Sequence, residues 1–94
     1  MYQFKALPKF ERQFKKFHSK EQRVIRGELK KLQTNTAIGE RKKGALSDVW
    51  VHKFKIQHQL YLLAYEPVAQ GKIIYLYAIA THENFYSSLH KYLR

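Results

Sequence analysis

Cysteine is absent from the chain, and only two prolines and four glycines occur among its 94 residues. Without cysteine, a disulfide framework and thiolate chemistry are excluded. No apolar run approaches the roughly 20 residues of a membrane helix, and the N-terminus lacks the basic-then-apolar pattern of a signal peptide. We therefore expect a single cytoplasmic domain, residues 1–94, with no membrane contact and a small core that leaves little stability to spare.

Acidic residues are also scarce. Seven Asp and Glu stand against 18 Lys and Arg, which gives a formal net charge of +11. Residues 1–56 hold 15 of the 18 basic and five of the seven acidic side chains, a net charge of +10. So localised a field favours a polyanion or an acidic protein as partner, because solubility alone would not require this asymmetry.

Residues that favour strands are abundant in the second half of the chain. Three runs, Val49–Gln57, Leu60–Glu66 and Lys72–Thr81, are rich in Val, Ile, Tyr, Phe and Trp, which fit a pleated, half-buried surface. The breaks between them, at His58–Gln59 and Pro67–Gly71, are so short that the neighbouring strands must be antiparallel. The second and third runs are apolar almost throughout, which predicts that they lie in the middle of the sheet.

The first run alternates between two kinds of residue. Trp50, His52 and Phe54 fall on one face of the predicted strand, and Lys53 and Lys55 fall on the other. This alternation predicts one dry face and one partly wet, cationic face. His52 lies on the dry face between two aromatic residues, where a satisfied core or interface histidine is the commoner interpretation.

The N-terminal segment predicts a strand followed by a helix. Tyr2–Ala6 alternates as an edge strand would, and Pro8 suits the first position of a helix. Three phenylalanines then recur at helical spacing, at positions 10, 14 and 17. We interpret this stripe as a core-facing surface, in preference to a platform for stacking bases.

A second helix is predicted to follow after a minimal link. Ser19 and Gln22 match the capping-box pattern, and apolar residues at helical spacing follow from Ile25 to Leu32. Gly27, inside this helix, suggests a close packing contact. Thr34–Asp48 has no clear period and predicts a surface loop.

The closing residues, Ser87–Arg94, have helix-like spacing and predict a short C-terminal helix with basic residues in its last turn. The whole pattern predicts an α+β fold in which an N-terminal helix hairpin packs on a small antiparallel sheet. The predicted order is β-α-α-β-β-β, followed by the short helix.

Several familiar catalytic signals are missing, including a phosphate-binding glycine loop and metal-ligand spacing among the histidines. We expect neither a metal nor a cofactor. Lys53, Lys55, His82 and Tyr86 remain as candidate catalytic residues near the strand ends. RNA cleavage requires a base for the 2′-OH, an acid for the leaving 5′-oxygen and cations for the phosphate. Each residue also has a structural interpretation, such as a capping role for His82 or a core position for Tyr86.

A basic run in the predicted loop extends this candidate surface. Arg41, Lys42 and Lys43 come shortly before the strand that carries Lys53 and Lys55, and we predict that the five bind nucleic acid. A charge run in a loop is more often merely solvated.

Three segments carry a resemblance to a known family: GALSDVWVHKFK, LYLLAYE and IIYLYAIATHENFY. They resemble the RelE/ParE toxin superfamily, which has a strand with alternating basic residues, a Tyr-x-Leu-x-Tyr strand and a closing strand that ends near His-x-x-x-Tyr. The resemblance spans nearly the whole chain and is strongest from Gly44 to Tyr86. The KFK and HENFY motifs are most similar to a ParE-like subgroup.

The resemblance implies a toxin of a bacterial type II toxin–antitoxin module, neutralised by a cognate antitoxin protein that we expect to be acidic. The RelE-like branch cleaves mRNA in the ribosomal A site, and the ParE-like branch poisons DNA gyrase. Lys53 and Lys55 match phosphate-stabilising positions of the nucleases. Tyr86 matches an aromatic residue that stacks on the substrate base, and His82 resembles an imidazole of some members.

One departure from the family pattern keeps the hypotheses open. Many family nucleases have Tyr-Arg-Leu where this chain has Tyr61-Leu62-Leu63, and the missing guanidinium would be a bidentate phosphate ligand. The first hypothesis is an mRNA endonuclease with the ribosome and mRNA as partners. The alternatives are a gyrase poison without nuclease activity and a non-catalytic RNA-binding domain.

Overall fold

The structure is a computed structural model that describes residues 1–42 and 48–85. Within these ranges the chain forms β1 (Gln3–Ala6), α1 (Pro8–Lys15), α2 (Ser19–Thr34), β2 (Glu40–Arg41), β3 (Trp50–Ile56), β4 (Gln59–Val68) and β5 (Ile73–Thr81). The predicted C-terminal helix, Ser87–Arg94, lies outside the described residues. Neither helix in the described ranges is long and apolar enough to cross a bilayer.

The five strands form one sheet in the order β1-β5-β4-β3-β2. β3, β4 and β5 are the predicted antiparallel meander, and the apolar β4 and β5 lie inside the sheet as predicted. β1 is the predicted edge strand and runs parallel to β5, which the long intervening chain permits. The α+β fold is confirmed, although its sheet is mixed where we expected an antiparallel one.

β2 is a short strand inside the predicted surface loop, Thr34–Asp48. It pairs antiparallel with the start of β3, with Glu40 opposite Val51, and the N–H of Lys42 donates to the carbonyl of Val49 at 2.9 Å. Two residues carry no periodicity that a sequence pattern can detect. The prediction of loop throughout is therefore wrong at these positions, because the edge of β3 determines the pairing.

The links of the meander differ slightly from the predicted breaks. β3 and β4 are joined by Gln57 and His58, and Gln57 has a φ of 58°. β4 continues through Pro67 to its end at Val68, where we had predicted a break. β3 pairs with β4 only as far as Tyr65, so the proline lies where β4 has a single neighbour and where strands tolerate it.

α2 is capped one residue earlier than predicted. The backbone N–H of His18 donates to Oε1 of Glu21 at 2.9 Å, so the predicted capping box of Ser19 and Gln22 is wrong. Gln22 instead donates from Nε2 to the carbonyl of Phe14 at 3.0 Å. This bond ties α2 to α1 and helps to fix the angle of the helix hairpin.

Two glycines have contrasting surroundings. Gly27 is exposed and a Cβ built on it would meet nothing within 4 Å, so the predicted packing contact is wrong. At Gly39 a Cβ would lie 2.7 Å from both the Tyr65 hydroxyl and the Val51 carbonyl. The Tyr65 hydroxyl accepts from the Gly39 N–H at 3.0 Å and donates to the Thr36 carbonyl at 2.7 Å, which anchors the segment that leads into β2.

The sheet separates two apolar clusters of different size. The helix-side core, between the sheet and both helices, contains Phe10, Ile25, Leu32, Phe54, Ile56, Leu63, Tyr65, Ile74, Leu76 and Ile79. Phe14 and Phe17 pack against it, which confirms the predicted role of the phenylalanine stripe. The second cluster, on the opposite face, contains Val49, Val51, Leu62, Ala64, Ala78 and Phe85.

Candidate functional site

One corner of the sheet carries three exposed candidate residues, which we call the lysine corner: Lys53 and Lys55 on the face away from the helices and His82 in the turn after β5. β3 pairs with β4 so that Lys55 lies opposite Leu60. The backbone N–H of His82 donates to the carbonyl of Leu60 at 3.2 Å, which extends the same row past the end of β5. Two strand spacings therefore separate the Cα atoms of Lys55 and His82, about 10 Å.

Lys53 lies one row inward from Lys55 on the same face. Its Cα is separated from that of Lys55 by two residues of extended chain, about 7 Å. Lysine side chains reach several ångströms from the backbone, so both ammonium groups can approach one phosphate beside the imidazole of His82. The structure thus brings together three of the four predicted catalytic residues, while Tyr86 lies outside the described residues.

The charges of the lysine corner are available to a ligand. Lys53, Lys55 and His82 are all exposed, and none of them forms an ion pair in the described ranges. A turn with Asn84 as its last residue holds the histidine, because the N–H of Asn84 donates to the carbonyl of Thr81 at 3.1 Å. An exposed cationic corner of this kind attracts anions and can stabilise the charge on a phosphate during transfer.

Leu62 is the residue at which the sequence departs from the family pattern described above. It lies opposite Lys53 on one side and Ala80 on the other, and it is fully buried in the second cluster. The position beside the two lysines is therefore sealed and apolar. A phosphate at this corner would be bound by ammonium groups, which act as point charges and lack the forked geometry of a guanidinium.

The predicted basic strip is divided between the two faces of the sheet. Arg41 pairs with Trp50, so it lies on the helix side and lines a pocket of about 330 Å³ with Trp50 and Glu66. Lys42 follows on the same face as the lysine corner, where its Nζ lies 3.8 Å from Glu40. Lys43 lies outside the described residues. Nucleic-acid binding by these residues stays a prediction.

His52 faces the helices, as its place in the alternation predicted. Its side chain is 10 % exposed, and Nε2 lies 2.7 Å from Oε1 of Glu28 in α2. Oε2 of the same carboxylate accepts from Lys31 at 2.9 Å. Burial raises the pKa of Glu28, but the hydrogen bonds from His52 and Lys31 outweigh this and leave that pKa below its ordinary value of 4.5. The pair ties α2 to β3, and the satisfied-histidine interpretation holds.

Two further features bear on the chemistry available here. His58 is exposed in the loop between β3 and β4, two residues after the end of β3. Across residues 1–42 and 48–85, no three His, Asp or Glu side chains are grouped as a metal site would require. Among the described residues, Lys53 and Lys55 can stabilise an anion electrostatically and His82 can transfer a proton through its imidazole.

Residues 4–90 match the model of the ParE-like toxin family of type II bacterial toxin–antitoxin systems. The chain belongs to this family. It is accordingly the toxin component of a type II toxin–antitoxin system, and an antitoxin protein is its partner. Among curated proteins, none matches the sequence.

Solved structures of E. coli RelE share the fold of this toxin. The isolated RelE toxin is 16 % identical over 97 % of both chains, with a TM-score of 0.69. RelE in the intact RelBE toxin–antitoxin complex is 15 % identical, covers 85 % of this chain and 95 % of its own, and also has a TM-score of 0.69. A mutant RelE in the free state is 14 % identical over 98 % of this chain and 93 % of its own, with a TM-score of 0.74. Identities this low carry the fold alone.

Sequence reasoning missed two interactions that shape the site. Glu28 and His52 are 24 residues apart and Tyr65 and Gly39 are 26 apart, so no local pattern links them. A single signal pointed to the first pair, because a histidine on a dry strand face needs a polar partner. No signal identified that partner as Glu28.

Proposed function

We propose that this toxin is a metal-independent endoribonuclease that cleaves ribosome-bound mRNA at the lysine corner. The observation that carries the proposal is the position of Lys53, Lys55 and His82 at one exposed corner of the sheet, with no carboxylate paired to them among the described residues. The likeness of these residues to the nuclease positions of the RelE-like branch supports it. The proposed site of action is the bacterial cytoplasm.

The proposed reaction is an internal transesterification. The 2′-oxygen of the substrate loses its proton and bonds to the adjacent phosphorus, while the bond from phosphorus to the 5′-oxygen breaks and that oxygen takes up a proton. The products are a 2′,3′-cyclic phosphate and a 5′-hydroxyl end. No protein nucleophile is needed, because the attacking oxygen belongs to the RNA.

Each residue of the lysine corner has a role in this reaction. Lys53 and Lys55 hold the phosphate and stabilise the negative charge that develops on it. His82 transfers one of the two protons through its exposed imidazole. The second proton transfer falls to a lysine or to water. Tyr86 stacks on a substrate base, as the family resemblance implies.

Purified toxin added to a translation reaction programmed with a defined mRNA would test the proposal. We expect cleavage of the message, with Lys53→Ala/Lys55→Ala and His82→Ala each slowing it by about 100-fold or more. Lys5→Ala is the matched control, because Lys5 is an exposed lysine on β1 at the other edge of the sheet. Unchanged cleavage in both site variants would contradict the proposed mechanism.

A gyrase poison is the second candidate, and the burial of Leu62 favours it. The sealed position beside Lys53 lacks the guanidinium that many nucleases of the superfamily place there. A poison needs only a binding surface, so an apolar residue at this position would cost it nothing. This candidate predicts trapped double-strand breaks and intact mRNA.

The open edge of β3 is the proposed docking line of the antitoxin. β2 covers β3 only as far as Val51, and within the described ranges no strand continues along Lys53 and Lys55. By the alternation that aims the Val49 carbonyl at β2, the backbone groups of both lysines point outward from this edge. An acidic segment of the antitoxin can add as a strand here and neutralise both lysines.

A further inference from the structure

Gly27 lies at the middle of the outward face of α2, where neither a close contact nor a positive φ requires a glycine. The residue is exposed, and a Cβ at this position would meet nothing within 4 Å. Glycine weakens a helix interior relative to any ordinary residue, and its backbone φ is unremarkable for a helix. The physical reason that remains is room for an external molecule to approach the helix backbone closely.

The surroundings of Gly27 indicate the charge of that molecule. At 100° per residue, Lys20, Arg23 and Lys30 all project within about 60° of the direction of Gly27. All three are exposed, and no ion pair engages them in the described part of the chain. Lys31 lies nearby but is bridged to Glu28 at 2.9 Å. Three uncompensated cations therefore surround the glycine over ten residues of helix, about 15 Å.

This surface, which we call the α2 apex (Lys20, Arg23, Gly27 and Lys30), is separate from the lysine corner. α2 buries Ile25 and Leu32 against the sheet, so its opposite side faces away from the sheet. The lysine corner lies on the far face of the same sheet, and even the shortest dimension of the molecule is 22 Å. One phosphate group does not contact both surfaces, so the α2 apex needs an occupant of its own.

The α2 apex fits a rigid and evenly charged backbone better than it fits an acidic protein segment. A nucleic-acid duplex carries roughly one negative charge per 2 Å of its axis, so several phosphates lie along 15 Å of helix. A protein helix would bury several apolar side chains at its contact, yet Val24, 38 % exposed, is the one apolar side chain of α2 that projects within about 60° of the direction of Gly27. Double-stranded RNA is bound mainly through its shape and backbone.

We propose that the α2 apex docks the backbone of double-stranded RNA, with Gly27 as the point of closest approach. The choice of RNA over DNA rests on the proposed function, since a toxin that acts on ribosome-bound mRNA works among RNA helices. The lysine corner then acts on the single strand while the opposite side of the molecule holds structured RNA.

Fluorescence anisotropy with a labelled 20-base-pair RNA duplex tests the proposal on the full chain. We expect Gly27→Gln to weaken binding about five- to tenfold by adding bulk at the contact, while its midpoint of thermal unfolding stays equal or rises. Lys20→Gln/Arg23→Gln should weaken binding about tenfold and lower the slope of log K against log salt by nearly two. The control Lys5→Gln/Lys72→Gln removes the same charge from exposed positions elsewhere and should change binding less than twofold.

Four outcomes would overturn the proposal. If Gly27→Gln bound the duplex as tightly as the wild type, Gly27 would not be a point of close approach. If the control pair lost as much affinity as Lys20→Gln/Arg23→Gln, the effect would be one of net charge alone. If Gly27→Gln weakened the binding of polyglutamate more than the binding of duplex RNA, the α2 apex would be assigned to an acidic protein. A DNA duplex of the same sequence forms a further arm, in which preference for DNA contradicts the choice of RNA. Duplex binding is measured without cleavage, so loss of the nuclease function and loss of this surface are distinguished.

Discussion

The two faces of the sheet are built from the same strands but have opposite character. The helix-side face buries long aliphatic and aromatic side chains under two helices, and its buried His52 is satisfied by Glu28. The open face combines a thin cluster containing Ala64 and Ala78 with the exposed lysine corner. The strand alternation therefore gives the two faces different roles, since one face stabilises the fold and the other presents charge to solvent.

Leu62→Arg is expected to have the largest effect. The substitution introduces the arginine of the Tyr-Arg-Leu pattern, but it places a guanidinium in a fully buried apolar position. An unpaired buried charge costs about 3–5 kcal/mol, so the variant should unfold at much lower denaturant, as urea titration would show. Leu62→Met, which nearly conserves volume, should cost less than about 1.5 kcal/mol. A stable Leu62→Arg protein with increased mRNA cleavage would contradict the sealed character of this position.

Leu63→Ala and Lys53→Ala test the division between the faces directly. Leu63 is fully buried in the helix-side core, and its truncation should lower the free energy of unfolding by about 2–5 kcal/mol. Lys53 is exposed on the opposite face, and its removal should change stability by less than about 0.5 kcal/mol. Chemical denaturation of both variants provides the comparison. Comparable destabilisation by the two would show that the open face also carries the fold.

The two glycines offer a smaller test with opposite signs. In Gly39→Ala the new Cβ meets the Tyr65 hydroxyl and the Val51 carbonyl at 2.7 Å, and the forced shift should cost about 1–3 kcal/mol. Gly27→Ala meets nothing within 4 Å and should stabilise the helix by about 1 kcal/mol. Thermal unfolding would show a lower midpoint for the first variant and a higher one for the second. Equal shifts of the same sign would refute this account of the two sites.

Glu28→Gln tests the link between α2 and β3 through its pH dependence. The pKa of Glu28 is lowered in the folded state, so the carboxylate stabilises the fold above its ordinary value of 4.5 and this contribution is lost as the pH falls through the lowered value. Glu28→Gln should therefore cost about 1–2 kcal/mol at pH 7 and progressively less toward pH 3, measured by urea unfolding. Glu83→Gln, at an exposed position, is the control. A cost independent of pH would contradict an ionic link.

Local patterns predicted most of the fold, because the meander, the helix hairpin and the edge strand each carry a clear period or turn signal. The features that patterns missed depend on tertiary context. β2 is held by the edge of β3. β4 continues through Pro67 because β3 does not extend alongside it beyond Tyr65. For the candidate site, alternation placed Lys53 and Lys55 on one face correctly, while the position of Arg41 on the other face follows from a strand that was not predicted.

The most direct test of the nuclease account is pulse expression of the toxin without its antitoxin, with mapping of mRNA 5′ ends and SOS induction read in the same culture. The account predicts new in-frame cuts in messages, no SOS response, and loss of the cuts in Lys53→Ala/Lys55→Ala. Intact messages with strong SOS induction would contradict the nuclease account and would indicate DNA gyrase as the target.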